Sequence, residues 1–134
     1  MKKLLSVLLI FVLIISLTAC GNGIGAVTPK YSSDVHSKED IETAIRGATY
    51  YFIKEFDGCQ LLTITYGGDD MLENHKEFVP SGKIEDVIVL VSSFYVSPNG
   101  GDGSLNQNDI YTGWKWIIVK DSDGNWVHKD HGYA

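Results

Sequence analysis

Five consecutive apolar residues, Val87 to Val91, constrain the fold of this chain more than any other part of its sequence. A strand with one wet face alternates apolar and polar side chains. "VIVLV" is apolar on both faces, so "EDVIVLVSSFYVS" reads as a strand inside a sheet rather than at its edge. Such a strand needs partners on both sides, and the flanking sequence supplies them.

Upstream, apolar residues recur at Ile41, Ala44, Ile45, Ala48, Phe52 and Phe56, the rhythm of one buried helical face. Ser37 stands as its cap, with Asp40 close to the capping-box position, and Asp57-Gly58 stops it. Tyr50 and Tyr51 flank that face. "CQLLTITYGG" alternates as a strand, with Leu62, Ile64 and Tyr66 expected on one side and Leu61, Thr63 and Thr65 on the other. A short helix is expected over Asp69–Val79, ending before Pro80. The last third reads as two strands joined at Asp121–Gly124, where Asp-Gly favours a tight turn. The order predicts an α+β fold, with an N-terminal helix across a curved antiparallel sheet of about four strands.

A second apolar run lies at the start, where Lys2 and Lys3 precede a stretch reaching Leu17. It falls short of the roughly 20 residues that cross a hydrocarbon core and has the three regions of a secretory signal. Its end, Leu17-Thr18-Ala19-Cys20, resembles the lipobox of bacterial lipoproteins. That resemblance implies a signal peptide over residues 1–19, acylation of Cys20 and a location on the extracytoplasmic face of the cell membrane. Residues 20–36, rich in Gly and Ser, read as a flexible tether, leaving 37–134 as one domain.

Charge agrees with export. The chain carries 11 Lys+Arg against 17 Asp+Glu, a net charge of -6, which becomes -8 without Lys2 and Lys3. An acidic domain has little to neutralise phosphates, which excludes nucleic acid as a partner. With Cys20 acylated, Cys59 has no disulfide partner and reads as a small buried hydrophobe.

The pattern "EFDGCQLLTITY", "DVIVLVSSFYV", "GGDGSLNQNDIYTGWKWIIVKD" and a terminal "HGY" resembles a family of small lipoproteins of unknown function from Gram-positive bacteria. The resemblance implies a cone-shaped domain of the nuclear-transport-factor or cystatin type, and it brings no activity.

No catalytic motif appears, and no cofactor or metal is expected. In "HKDH", strict alternation puts His128 and Asp130 on one face and His131 on the other. Too few ligands then converge for zinc. "DSDGN" and "NGGDGSLNQND" imitate calcium loops but read as turn and loop. The aromatic residues offer the best binding surface. Trp114 and Trp116 are expected on one face of their strand and Tyr111 on the other, with Trp126 nearby, either as core or as the wall of a concave site. These four are the candidate ligand-binding residues, under a long loop from Asn99 to Asp109. Three functions follow in order: a noncatalytic binding module for a peptide or glycan, an envelope protein-interaction or inhibitor module, and a weak hydrolase using His128, Asp130 or His131.

Overall fold

The computed structural model describes residues 32–133. The apolar leader, Cys20 and most of the tether lie outside these residues. Among the described residues one α-helix, α1 (Lys38–Glu55), precedes four strands, β1 (Cys59–Tyr66), β2 (Val87–Val96), β3 (Ile110–Lys120) and β4 (Trp126–Gly132). The strands pair antiparallel in the order β1-β2-β3-β4. The protein is an α+β fold, one helix packed on an open four-stranded sheet, and β2 is an inner strand.

Local chemistry sets the ends of α1. The Ser37 hydroxyl accepts the Asp40 N–H at 3.1 Å, and Glu39 and Asp40 place negative charge at the positive end of the helix. Ile41, Ala44, Ala48 and Phe52 are buried along one stripe. The two alanines let the helix lie close to the sheet, and Phe52 and Phe56 then pack against Phe94 and Trp116. Trp116 has no exposed surface, and its indole N–H donates to the buried Ser92 hydroxyl at 2.8 Å.

The opposite face of the sheet, at Val87, Val89, Ile117 and Val119, is also buried. The segment from Gly67 to Asp86 covers it, burying Leu72 and Val79 as it passes. Two short 3-10 turns, Asp69–Met71 and Lys76–Phe78, stand where a single short helix was expected, and a third follows at Ile84–Asp86. The cause lies at His75. Its ring Nδ1 donates to the Met71 carbonyl at 2.7 Å, the acceptor that an α-helical His75 N–H would use, and that N–H turns to Leu72 instead.

Every strand pairing contains one irregularity, and these bulges decide which side chains meet. In β1 the extra residue is Leu62, so Leu61 rather than Leu62 joins Ile64 and Tyr66 in the core beneath α1. In β3 it falls between Tyr111 and Trp114, where Gly113 adopts φ 71°, and it swings Tyr111 onto the Trp114 side despite the odd spacing. In β4 it is Lys129. Asp130 pairs with Ile117 and His128 with Ile118, so His128 and His131 share the helix side and Asp130 faces away. The expected grouping of His128 with Asp130 is therefore corrected, because one inserted residue reverses the alternation beyond it.

The chain enters this body through a set of hydrogen bonds at one end. Asp69 accepts from the Ser33 hydroxyl at 2.5 Å, the Tyr66 hydroxyl at 2.6 Å and the Asp34 N–H at 2.8 Å. Burial pushes the Asp69 carboxyl up, but these three donors together outweigh it and hold it below the usual carboxylate range.

Candidate functional site

A cleft of about 330 Å³ opens at the C-terminal end of α1. Tyr51 and Phe56 enter it from the helix, Trp114 and His131 from β3 and β4, and the 97–109 loop closes one side with Leu105. That loop is clasped rather than loose. Ser97 N–H donates to the Gly58 carbonyl at 2.9 Å and Gly101 N–H to the Asp57 carbonyl at 2.8 Å. Gly58 and Gly100 touch so closely that a Cβ on Gly100 would lie 2.2 Å from the Gly58 oxygen. Only glycine fits there, so the end of the helix and the loop form one unit.

Phe56 and Trp114 meet edge-on at 89° with centroids 6.1 Å apart. Behind them, His128 Nε2 and His131 Nδ1 are 3.0 Å apart, one N–H donating to the other's lone pair. Tyr51 stacks on His128 at 4.1 Å, and His131 lies 5.2 Å from the Trp116 ring. Burial lowers both histidines below their ordinary range; for His128 the neighbouring His131 adds to the effect, and for both Asp130 opposes it. Both rings are therefore neutral near pH 7. Cys59 is half-buried, packing against the edge of the core while lining the cleft, and desolvation pushes its thiol up, away from the thiolate that would react.

Trp114 carries the one anomaly. Its indole nitrogen is buried with no hydrogen-bond partner, alone in this among the described side chains. An unpaired buried N–H costs about 1–3 kcal/mol and calls for an explanation.

The four candidate binding residues occupy three different places. Tyr111 and Trp114 stand together, ring centroids 6.0 Å apart, and Tyr111 also stacks on Phe94. Trp116 is core beneath the helix. Trp126 lies at the other end of α1, where its N–H donates to Asp40 at 3.0 Å, its ring meets His36 edge-on, and Lys120 Nζ sits 4.8 Å above it. His36 donates to the Val87 carbonyl at 2.8 Å, which assigns it to structure. Sequence reasoning missed His131, Tyr51 and Phe56 as cleft residues. The Gly113 bulge had a readable signal, a glycine inside a strand, whereas the Lys129 bulge had none.

Among the described residues, no group of three or more His, Cys, Asp or Glu side chains converges to hold a metal ion. The Asp121 carboxylate is committed to its own turn, accepting the Asp123 and Asn125 N–H groups. No described helix is long and apolar enough to cross a membrane. The site and fold define an α+β domain with an aromatic cleft at one end of its helix. No protein family, curated protein or solved structure matches this chain.

Proposed function

We propose that this chain is an extracytoplasmic domain anchored to the cell membrane through acyl chains on Cys20, and that it binds a ligand at the aromatic cleft without transforming it. In this reading it is one of the small Gram-positive lipoproteins it resembles, with a cystatin-like or nuclear-transport-factor-like sheet and helix. One observation carries the binding role: a cleft of about 330 Å³ lined by Tyr51, Phe56, Leu105 and Trp114, big enough for a small ligand or one residue of a polymer. A noncatalytic role is supported by the neutral, mutually bonded histidines and the protonated thiol, neither of which is poised as a nucleophile or is oriented by a carboxylate.

Two measurements test this reading. Mass spectrometry of the native protein is expected to find Cys20 as an acylated first residue; Met1 in place with no fatty chain would end the anchoring claim. Intrinsic fluorescence of the full chain in detergent, titrated with short glycans and peptides, is expected to show saturable quenching. Trp114→Phe should abolish the response and Trp126→Phe should preserve it; the reverse pattern would move the site.

An interaction module is the second reading, and a specific feature favours it. Tyr50 and Ile53, one helical turn apart on the outside of α1, are 69% and 63% exposed. Replacing both by Ser would sever a protein contact there and leave the cleft response intact.

A further inference from the structure

The outward side of α1 carries a stripe that the fold does not use. Glu39, Thr43, Arg46, Gly47, Tyr50 and Lys54 recur along it at helical spacing, all exposed except the half-buried Thr43. Arg46 donates to the Thr43 hydroxyl at 2.9 Å. Among the described residues neither Arg46 nor Lys54 pairs with a carboxylate, whereas Lys38 and Lys76 both do. Gly47 is the oddity. A glycine inside a helix weakens it relative to alanine, and no atom lies within 4 Å of the place its Cβ would take, so nothing within the fold calls for it. A second helix crossing there would use the missing side chain, because the distance between packed helices follows the size of the side chains at their contact.

Charge decides what crosses. A lipid surface or an acidic protein would attract Arg46 and Lys54 but repel Glu39 on the same stripe. A second copy of this chain has the matching pattern. With two α1 helices antiparallel and crossing between Arg46 and Gly47, Glu39 of one protomer comes level with Lys54 of its partner, and Thr43 with Tyr50, because each pair lies equally far from the crossing. Arg46 keeps its bond to Thr43 and passes over Gly47 of its partner, where no Cβ stands in the way. The acidic first turn of each helix then lies beside the basic last turn of the other, which favours both dipoles. A parallel pair would instead set Glu39 against Glu39 and Lys54 against Lys54. Over the rest of the surface two copies repel one another, since each chain has a net charge of -6; this stripe, with two cations to one carboxylate, relieves that repulsion.

Resting on the outer face of α1 being a protein contact, we infer that its partner is a second copy of this chain, in a two-fold pair of antiparallel α1 helices crossing at Gly47. One helix pair is a small interface, so the dimer is weak in solution, with a dissociation constant on the order of 10–100 µM, and is favoured where anchoring at Cys20 concentrates the chains. The Ser33 entrances then lie at opposite ends of the pair, which lays paired chains along the bilayer, unlike an unpaired one. Sedimentation of the full chain in excess detergent, from about 1 to 500 µM, is expected to show a monomer–dimer equilibrium. Lys54→Glu and Glu39→Lys should each weaken it about tenfold, and the two together should restore it to within about threefold of the native value. Gly47→Leu should abolish pairing while melting at or above the native temperature, since a Cβ there meets nothing in the monomer. A chain that stays monomeric throughout overturns the pairing and leaves the face to a different protein. Weakening by both single reversals without recovery in the double variant overturns the antiparallel arrangement. A dimer unchanged by Gly47→Leu and by Tyr50→Ser with Ile53→Ser sits elsewhere, and then both the pairing and a contact at this face fall.

Discussion

The two ends of α1 present the same ingredients, a tryptophan, a histidine and carboxylates, and use them in opposite ways. At the N-terminal end every polar group described above has an owner: Trp126 donates to Asp40, His36 donates to Val87, and Asp69 gathers three donors. At the C-terminal end Trp114 donates to nothing, two histidines bond one another, Glu55 and Asp57 are exposed, and Asp102 is bonded only within its own loop, by Ser104. A closed end of this kind contributes to stability. An end with an unpaired buried donor gives stability away, and function is the usual reason such a group persists.

The largest test of the contrast removes the hub of the closed end. Asp69→Ala strips the acceptor from Ser33, Asp34 and Tyr66 and is expected to cost about 2–3 kcal/mol, read as a melting temperature lower by on the order of 10 °C. A loss under about 0.5 kcal/mol would mean that this end is not held as described. Next comes a paired comparison by urea denaturation. Trp126→Phe leaves the Asp40 carboxylate without its indole donor, whereas Trp114→Phe deletes an N–H that had no partner. The first is expected to be about 1–2 kcal/mol more destabilising than the second, and equal losses would erase the distinction between the ends.

Acid should weaken both ends. Burial holds His36, His128 and His131 below their ordinary range. As pH falls through about 6.5, the unfolded chain takes up protons before the folded one, so stability declines until the folded histidines also protonate. His131 meets Tyr51 and Glu55 across the cleft and Asp130 on its own strand, and none of these donates a bond that would reverse the sign. A melting temperature a few degrees lower at pH 5 than at pH 7.5 is expected, with a shallower slope in a His128→Gln, His131→Gln variant. An unchanged slope in that variant would place the titration at His36 alone. The smallest effect belongs to the exposed Lys38–Glu42 pair, 3.6 Å apart on the first turns of α1. Glu42→Gln should shift stability by no more than about 0.5 kcal/mol; a larger loss would mean that surface charge, not buried bonding, holds the closed end.

What could be read from the sequence followed from periodicity. The stripe from Ile41 to Phe56 gave the helix and its face, "VIVLV" gave an inner strand, and Asp121–Gly124 gave the turn between β3 and β4, because each rests on neighbours close in the chain. The cleft did not follow, because bulges made it. Strict alternation separates Tyr111 from Trp114 and His128 from His131, and a single extra residue in each strand reunites them. The indole roles were equally hidden: Trp116, Trp114 and Trp126 share one sheet face, and only the helix and loop above them decide which is core, which lines a cleft and which is bonded.

The fastening at Ser33 and Asp69 has a further consequence for orientation. It lies beside the start of α1, and the cleft lies beyond its end, about 27 Å away for an 18-residue helix. A lipid on Cys20, as proposed above, would join the body from the side of Ser33, thirteen positions further along the chain. The domain would hang from its sealed pole, with the aromatic mouth turned outward toward whatever diffuses past the bilayer.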